Sequence, residues 1–498
     1  MRYFRACLRK IRRLIKPFEW LIKLLNGDVA PKTLLILAIC SPVLILLLVT
    51  CLESMLSGFS FTNDLIELLF LIDLLRTGID NFATFIGLIL MLKFQTMSST
   101  FVCTIQGAAI FFLAFGIGMW AIHFMAFFWS KWKLHRKRSW PADIPLPGVS
   151  IIKPLVGEDP HLASNLETFF TINYPKFEIL FCVQDNNDPA INVVDKLMEK
   201  YPTVDARLFK GGEKVGINPK INNMQPAYIS MKHELILISD SGIRMKEDTL
   251  LDMVCHMDDK TGLVHQMPFT CDRQGFPAIL EKVYFGTSHA RIYLAADLVG
   301  INCPTGMSAL MRKKLLDEAS RFRVGGIKAF GCFLAEDYFF AKSITDRGWK
   351  ITISSQPAWQ NSGYCDIQSF QSRISRWAKL RFAMVPPTIL AEPFSECMVL
   401  GICVAFATRV LLRWDPIVVF LIHLLTWCIM DWFLLRSVQN GNIPFTKFEF
   451  VLAWLFREAS APFLFIHSLM FPNIRWRQGY YRLQWGGRVE EIAPKVKL

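Results

Sequence analysis

The chain has 498 residues, 52% of them hydrophobic and 19% charged, with a net charge of +13. It is too apolar for a purely water-soluble enzyme and too charged for a bare bundle of membrane spans, so a folded aqueous block between membrane segments fits best. The Lys and Arg excess gathers beside apolar segments and no nucleic-acid motif accompanies it, which excludes nucleic acid as a partner. The 13 cysteines are scattered without a Cys-x-x-Cys, and several sit in apolar runs, as buried free thiols do.

Residues 1–32 are a basic segment expected on the cytosolic side. Residues 33–52 are apolar and long enough for a transmembrane helix; a signal peptide is the weaker alternative, because no small-residue cleavage site follows. Residues 53–100 are an extension in which Leu65 to Phe94 is apolar but interrupted by Glu67, Asp73, Arg76 and Asp80. Residues 101–129 are the firmest amino-terminal span. Lys131, Lys133, Arg136, Lys137 and Arg138 follow it at once, which puts that side in the cytosol. A basic, Pro-rich linker covers 130–147.

Residues 148–382 change texture. Strands are expected at 149–152, 178–184, 204–208 and 235–239, with helices at 160–172 and 190–200, and this βαβ rhythm predicts a mostly parallel sheet in an α/β domain. Residues 383–472 form a membrane region of two to four helices, with candidates at 397–412, 416–435 and 448–471. The last contains Arg457 and Glu458, so it is expected to be broken or to face a polar cavity. Residues 473–498 read as a basic tail that prefers the cytosol; three full crossings would leave it on the other side.

Four stations in the α/β block carry the chemistry. Asp185 and Asp240-Ser-Gly242 each follow an apolar strand, where open α/β sheets place ligand contacts. Asp185 suits a nucleobase or ribose, or else an Asx turn. Asp240 suits Mg²⁺ or Mn²⁺ on a diphosphate, or else a turn; Gly242 replaces the second acid of an Asp-x-Asp pair. Glu336-Asp337 offers a base for an acceptor hydroxyl, or an acidic helix start. Arg373, Arg376 and Trp377 share a helical stretch that suits phosphate oxygens and a sugar or acceptor, or a basic interfacial helix. Lys153 and Lys220 are candidate nucleotide contacts that singly read as surface lysines. His289 is a candidate for the acceptor or phosphate site, or a structural histidine.

The order Asp185, Asp240, Asp337, Arg373-x-x-Arg376-Trp377 resembles the inverting GT-A glycosyltransferases. Longer stretches are similar to the ceramide glucosyltransferase family: Lys153 to Asp159, Phe181 to Asp185, Asn218 to Asn223, Val283 to His289, Ala335 to Tyr338, Arg373 to Arg381 and Arg475 to Leu483. That resemblance covers roughly residue 102 onward. It implies a GT-A domain on a Golgi membrane, facing the cytosol, that moves glucose from UDP-glucose to ceramide with inversion and with a divalent cation. It further implies that Asp185 binds uridine, Asp240 holds the cation, Asp337 is the base, and Arg373, Arg376 and Trp377 hold diphosphate and acceptor. His289 is implied in UDP-sugar binding. A processive polysaccharide synthase would use the same stations, and a membrane transporter or lipid-binding protein would leave them unexplained.

Overall fold

The computed structural model describes residues 99–318, 325–476 and 479–492. The expected segments 1–32 and 33–52, and nearly all of 53–100, lie outside the described residues. The first described helix, α1 (Ser99–Lys133), runs past the predicted span into the basic run.

The α/β block follows. Its strands are β1 (Val149–Leu155), β2 (Phe177–Val183), β3 (Ala206–Lys210), β4 (Leu235–Ser239), β5 (Ile243–Arg244), β6 (Thr261–His265), β7 (Pro268–Thr270), β8 (Ser308–Arg312), β9 (Lys350–Ile353) and β10 (Ala358–Gln360). Seven of them form one sheet in the order β3-β2-β1-β4-β8-β6-β9, and only β8 runs antiparallel to its neighbours. β1 and β4 are buried along their whole length, as strands covered on both faces must be. β5, β10 and β7 form a smaller sheet. The helices around them are α2 (Leu162–Phe170), α3 (Ala190–Lys200), α4 (Pro219–Ser230), α5 (Thr249–Cys255), α6 (Phe276–Tyr284), α7 (Ala290–Val299), α8 (Lys313–Asp317), α9 (Glu336–Thr345) and α10 (Ile367–Met384). The predicted elements are present, with β1 three residues longer than expected and β3 two residues later.

The membrane region comprises α11 (Thr388–Ala391), α12 (Cys397–Leu412), α13 (Pro416–Gln439) and α14 (Lys447–Met470). α13 runs parallel to α1: Trp120 donates to His423 at 3.3 Å, and ten residues on Ser130 donates to Ser437 at 2.7 Å. α12 is bent by 81° from the segment before it and has 16 residues, about 24 Å, so it is shorter than a full hydrocarbon core. α14 is long and apolar enough to cross. At the end of α13 Gln439 donates to Asp272 of the α/β block, and near the carboxyl-terminal end of α14 Ser468 bonds Ser375 of α10 at 2.8 Å.

The tail is not a plain basic segment. Residues Ile474–Trp476 (β11), Gly479–Leu483 (β12) and Val489–Ile492 (β13) form an antiparallel sheet. Ile474, Tyr481 and Val489 pack on Leu334, Ala335 and Leu380. The hydrophobic alternation was masked by the interleaved Arg475, Arg482 and Arg488, which a sequence reading takes for solvated charge.

Candidate active site

The carboxyl-terminal edge of the sheet carries the acids. β4 ends at Ser239, and Asp240 is fixed by its backbone: its N–H donates to Met307 O at 2.9 Å, and its own carbonyl accepts from Lys153 Nζ at 2.7 Å. The Asp240 side chain is 42% exposed. Lys153 is not a surface lysine. It is wholly enclosed, with Nζ 3.8 Å from the centre of the Phe169 ring, and burial pushes its ammonium down to about 7. It braces Asp240 from inside the sheet. Nor is Lys220 on the surface. It sits in the first turn of α4, where Asn218 caps the helix, and its Nζ lies 2.8 Å from Asp240 Oδ1 and 3.0 Å from Glu336 Oε1. Burial works against its charge, but the two carboxylates win and hold it protonated.

Glu336 and Asp337 open α9, so the acidic-helix-start reading and the site reading both hold. Glu336 is buried, with one oxygen on Lys220 and the other accepting from Asn218 Nδ2 at 2.9 Å. That leaves Asp337 as the acid with room to act. It is half-buried beside the loop that precedes β8, and a Cβ at Gly306 would sit 3.1 Å from its Oδ2, so a larger residue there would press on the carboxyl. Burial and the neighbouring Glu336 push the Asp337 carboxyl up to about 6, against the pull of Lys220.

Asp185 lies past the end of β2, two strands from Asp240 and so roughly 10 Å away across the sheet edge. It is exposed, and its Oδ1 accepts from Asn187 N at 2.9 Å, the Asx turn that its sequence allows.

The second wall is aromatic and cationic. His289 ends a π-helical turn, Phe285–His289, between α6 and α7. Its ring lies 4.6 Å from that of Tyr293 and 5.9 Å from that of Trp377. Burial, then Arg381 and Arg373, push its imidazole down to about 3, so it is neutral at physiological pH. Arg373 stacks over Trp377 at 5.5 Å and donates to Glu281 Oε1 at 2.8 Å. Arg376 lies 6.0 Å from the Trp476 ring of the tail and also within the field of Asp240 and Glu336; burial, then Arg373, lower its pKa, and the two acids oppose this. Glu281, which binds both Arg273 and Arg373, was missed in the sequence. It lies on a helix with no acid motif, and only its burial marks it.

Among the described residues no group of three His, Cys, Asp or Glu is placed to hold a metal alone. The residues still fit a hard divalent ion shared with substrate. Asp240 offers a half-exposed carboxylate, and such ions often take one or two carboxylates plus phosphate oxygens. All nine cysteines with described side chains are free; three are buried and six half-buried, so the expected burial holds in part.

An α/β sheet edge bearing spaced acids, set against an arginine-aromatic wall from α10 and the π turn and joined to helices long and apolar enough to cross a membrane, defines a membrane glycosyltransferase. The chain belongs to glycosyl transferase family 21, whose profile matches residues 118–489. It is 48% identical over 379 residues to ceramide glucosyltransferase 3 of Caenorhabditis elegans, covering 76% of this chain and 81% of that one. It is 47% identical to ceramide glucosyltransferase 1 of the same organism, covering 76% and 80%. A solved mannosyltransferase from Pyrobaculum calidifontis, in complex with GDP-Man and Mn²⁺, aligns with 68% of this chain and 98% of its own at 18% identity and a TM-score of 0.40.

Proposed function

We propose that this enzyme transfers glucose from UDP-glucose to the primary hydroxyl of ceramide, with inversion, to give β-glucosylceramide. The observation that carries the reading is Asp337: a half-buried carboxyl raised to about 6, beside the Glu336–Lys220–Asp240 network and the Gly306 loop. A base with a pKa just below the working pH is ionised and still a competent proton acceptor.

Asp337 takes the proton of the acceptor hydroxyl as its oxygen bonds the anomeric carbon. The bond from that carbon to the UDP oxygen breaks on the opposite face, and UDP leaves with the electron pair. Glu336, held by Lys220 and Asn218, keeps Asp337 in place. Asp240 would hold the divalent ion, which supplies positive charge to the diphosphate when bound. Arg373 and Arg376 add cationic charge there, the main electrostatic contribution to such a step. Asp185 faces solvent at the right strand end for the uridine, and Lys153 acts through Asp240. His289 and Trp377 border the sugar and the acceptor.

The amphiphilic acceptor reaches this edge sideways from the bilayer, between the α/β block and the membrane helices. The basic run after α1 favours a cytosolic catalytic block, and the family resemblance favours the Golgi membrane. The test is turnover in nanodiscs with labelled UDP-glucose, Mn²⁺ or Mg²⁺ and a short-chain ceramide. One labelled glucose per lipid supports the reading. A growing polymer, or hydrolysis of UDP-glucose alone, refutes the acceptor.

A further inference from the structure

Where α1, α7, α13 and α14 meet, charged side chains are packed away from solvent. Asp431 of α13 is the hub. Its Oδ1 lies 3.2 Å from Arg291 Nη1 and 3.3 Å from His123 Nε2. Its Oδ2 accepts from Trp454 Nε1 at 2.8 Å and lies 3.3 Å from Arg457 Nη2. Arg457 also donates to Glu458 and, through Nη1, to the Thr287 hydroxyl. Asp431, Glu458, His123 and Thr287 have no exposed surface.

Asp431, Glu458 and the adjacent Glu396 face Arg291 and Arg457, but pairing of charges does not explain why they are there. Desolvating such a group commonly offsets what its pairing returns, and apolar residues of equal volume would join these helices as well. Ionisable residues among membrane helices usually serve a task.

The two arms of the cluster end on either side of one residue. Thr287 and Arg291 stand two positions before and two positions after His289. The backbone between α6 and α7 takes a π turn, a form rare in helices and common at functional sites. Gly286 of that turn packs so closely on Leu435 of α13 that a Cβ would overlap it. The turn is thus held from below by α13 and α14, while the His289 ring lies among Tyr284, Tyr293 and Trp377.

We infer that the Asp431–Arg457–Thr287 chain is a positioning device: it fixes the π turn so that His289 meets Trp377 at the reacting sugar. The inference rests on the proposed place of His289 in the site.

Thr287→Val removes the hydroxyl and keeps the shape, and Thr287→Ser restores the hydroxyl. With the full-length enzyme in nanodiscs, Thr287→Val is expected to lower kcat about tenfold, the scale of one lost charge-assisted hydrogen bond. The Kd for UDP stays within about twofold and Thr287→Ser returns near wild-type kcat. In a His289→Ala background Thr287→Val adds less than about twofold, because the two act as one unit. Full multiplication of the two effects, or an equal fall in UDP binding and melting temperature, overturns the inference by making Thr287 merely structural. A wild-type kcat for His289→Ala would instead remove His289 from the site, and the inference with it, while leaving the glucosyl-transfer reading to its own assay. Should Thr287→Val fail to assemble, Trp454→Phe removes only the indole donor to Asp431; it is expected to lower kcat about threefold in the wild type and by nothing further in His289→Ala.

Discussion

Glu281 and Arg373 are bonded at 2.8 Å, and the second Glu281 oxygen is taken by Arg273. One buried carboxylate therefore aims Arg373, the arginine proposed to face the diphosphate, which remains stacked on Trp377. Replacing Glu281 by Gln keeps the volume and removes the charge. The expected result is a donor KM raised roughly tenfold, the scale of one charge-assisted hydrogen bond, with the acceptor KM unchanged. Donor and acceptor titrations at steady state check it.

Asp337→Asn should lower kcat by about 10²–10⁴-fold, the range for loss of a positioned base. UDP binding should be kept, because Asp240, Asp185 and the arginines are intact. Calorimetry with UDP, run beside the turnover assay, separates the two. A variant that turns over normally would reassign the base.

The pH profile follows from the same carboxyl. As the proposed base, Asp337 must be deprotonated to accept the hydroxyl proton, and burial with the neighbouring Glu336 raises its pKa to about 6. Turnover should therefore rise as pH climbs through about 6, and a further step near 7 belongs to Lys153, whose ammonium braces Asp240. His289, near 3, stays neutral across that window and adds no second step. In Asp337→Asn the acid limb should disappear from any residual rate. Rates measured at constant ionic strength from pH 5 to 8 are the check.

Lys220→Met should act on stability first. The lysine pairs with both Asp240 and Glu336, and removing it leaves Glu336 buried without its cation. Breaking a buried pair on one side costs about 3–5 kcal/mol. A clear drop in melting temperature is expected in detergent, with partial recovery in Lys220→Met, Glu336→Gln, where the stranded charge is gone.

Much of this was readable from residues. The strands announce themselves because β1, β2 and β4 are buried on both faces and so are written as unbroken apolar runs. The acids at their ends could be placed for the same reason. Lys153 and Lys220 could not, since a lysine in a strand or a helix start looks solvated until its partners are known. Arg457 and Glu458 were legible as an interruption of an apolar helix, but Asp431, Arg291 and Thr287, which satisfy them, lie on other elements. The tail misled because Arg376 stacks on Trp476, and that contact joins residues a hundred positions apart.

Asp297 accepts at once from Trp129 of α1 and from Thr352 and the Ile353 backbone of β9. That rivet ties the β9 end of the sheet to α1, and through it the protein would act as a ruler. On the proposed reading, only a hydroxyl at headgroup level reaches Asp337; once a hexose is attached, the next free hydroxyls stand one sugar farther from the bilayer, beyond the mark. A rigid gauge of this kind stops at a single addition without any device for counting.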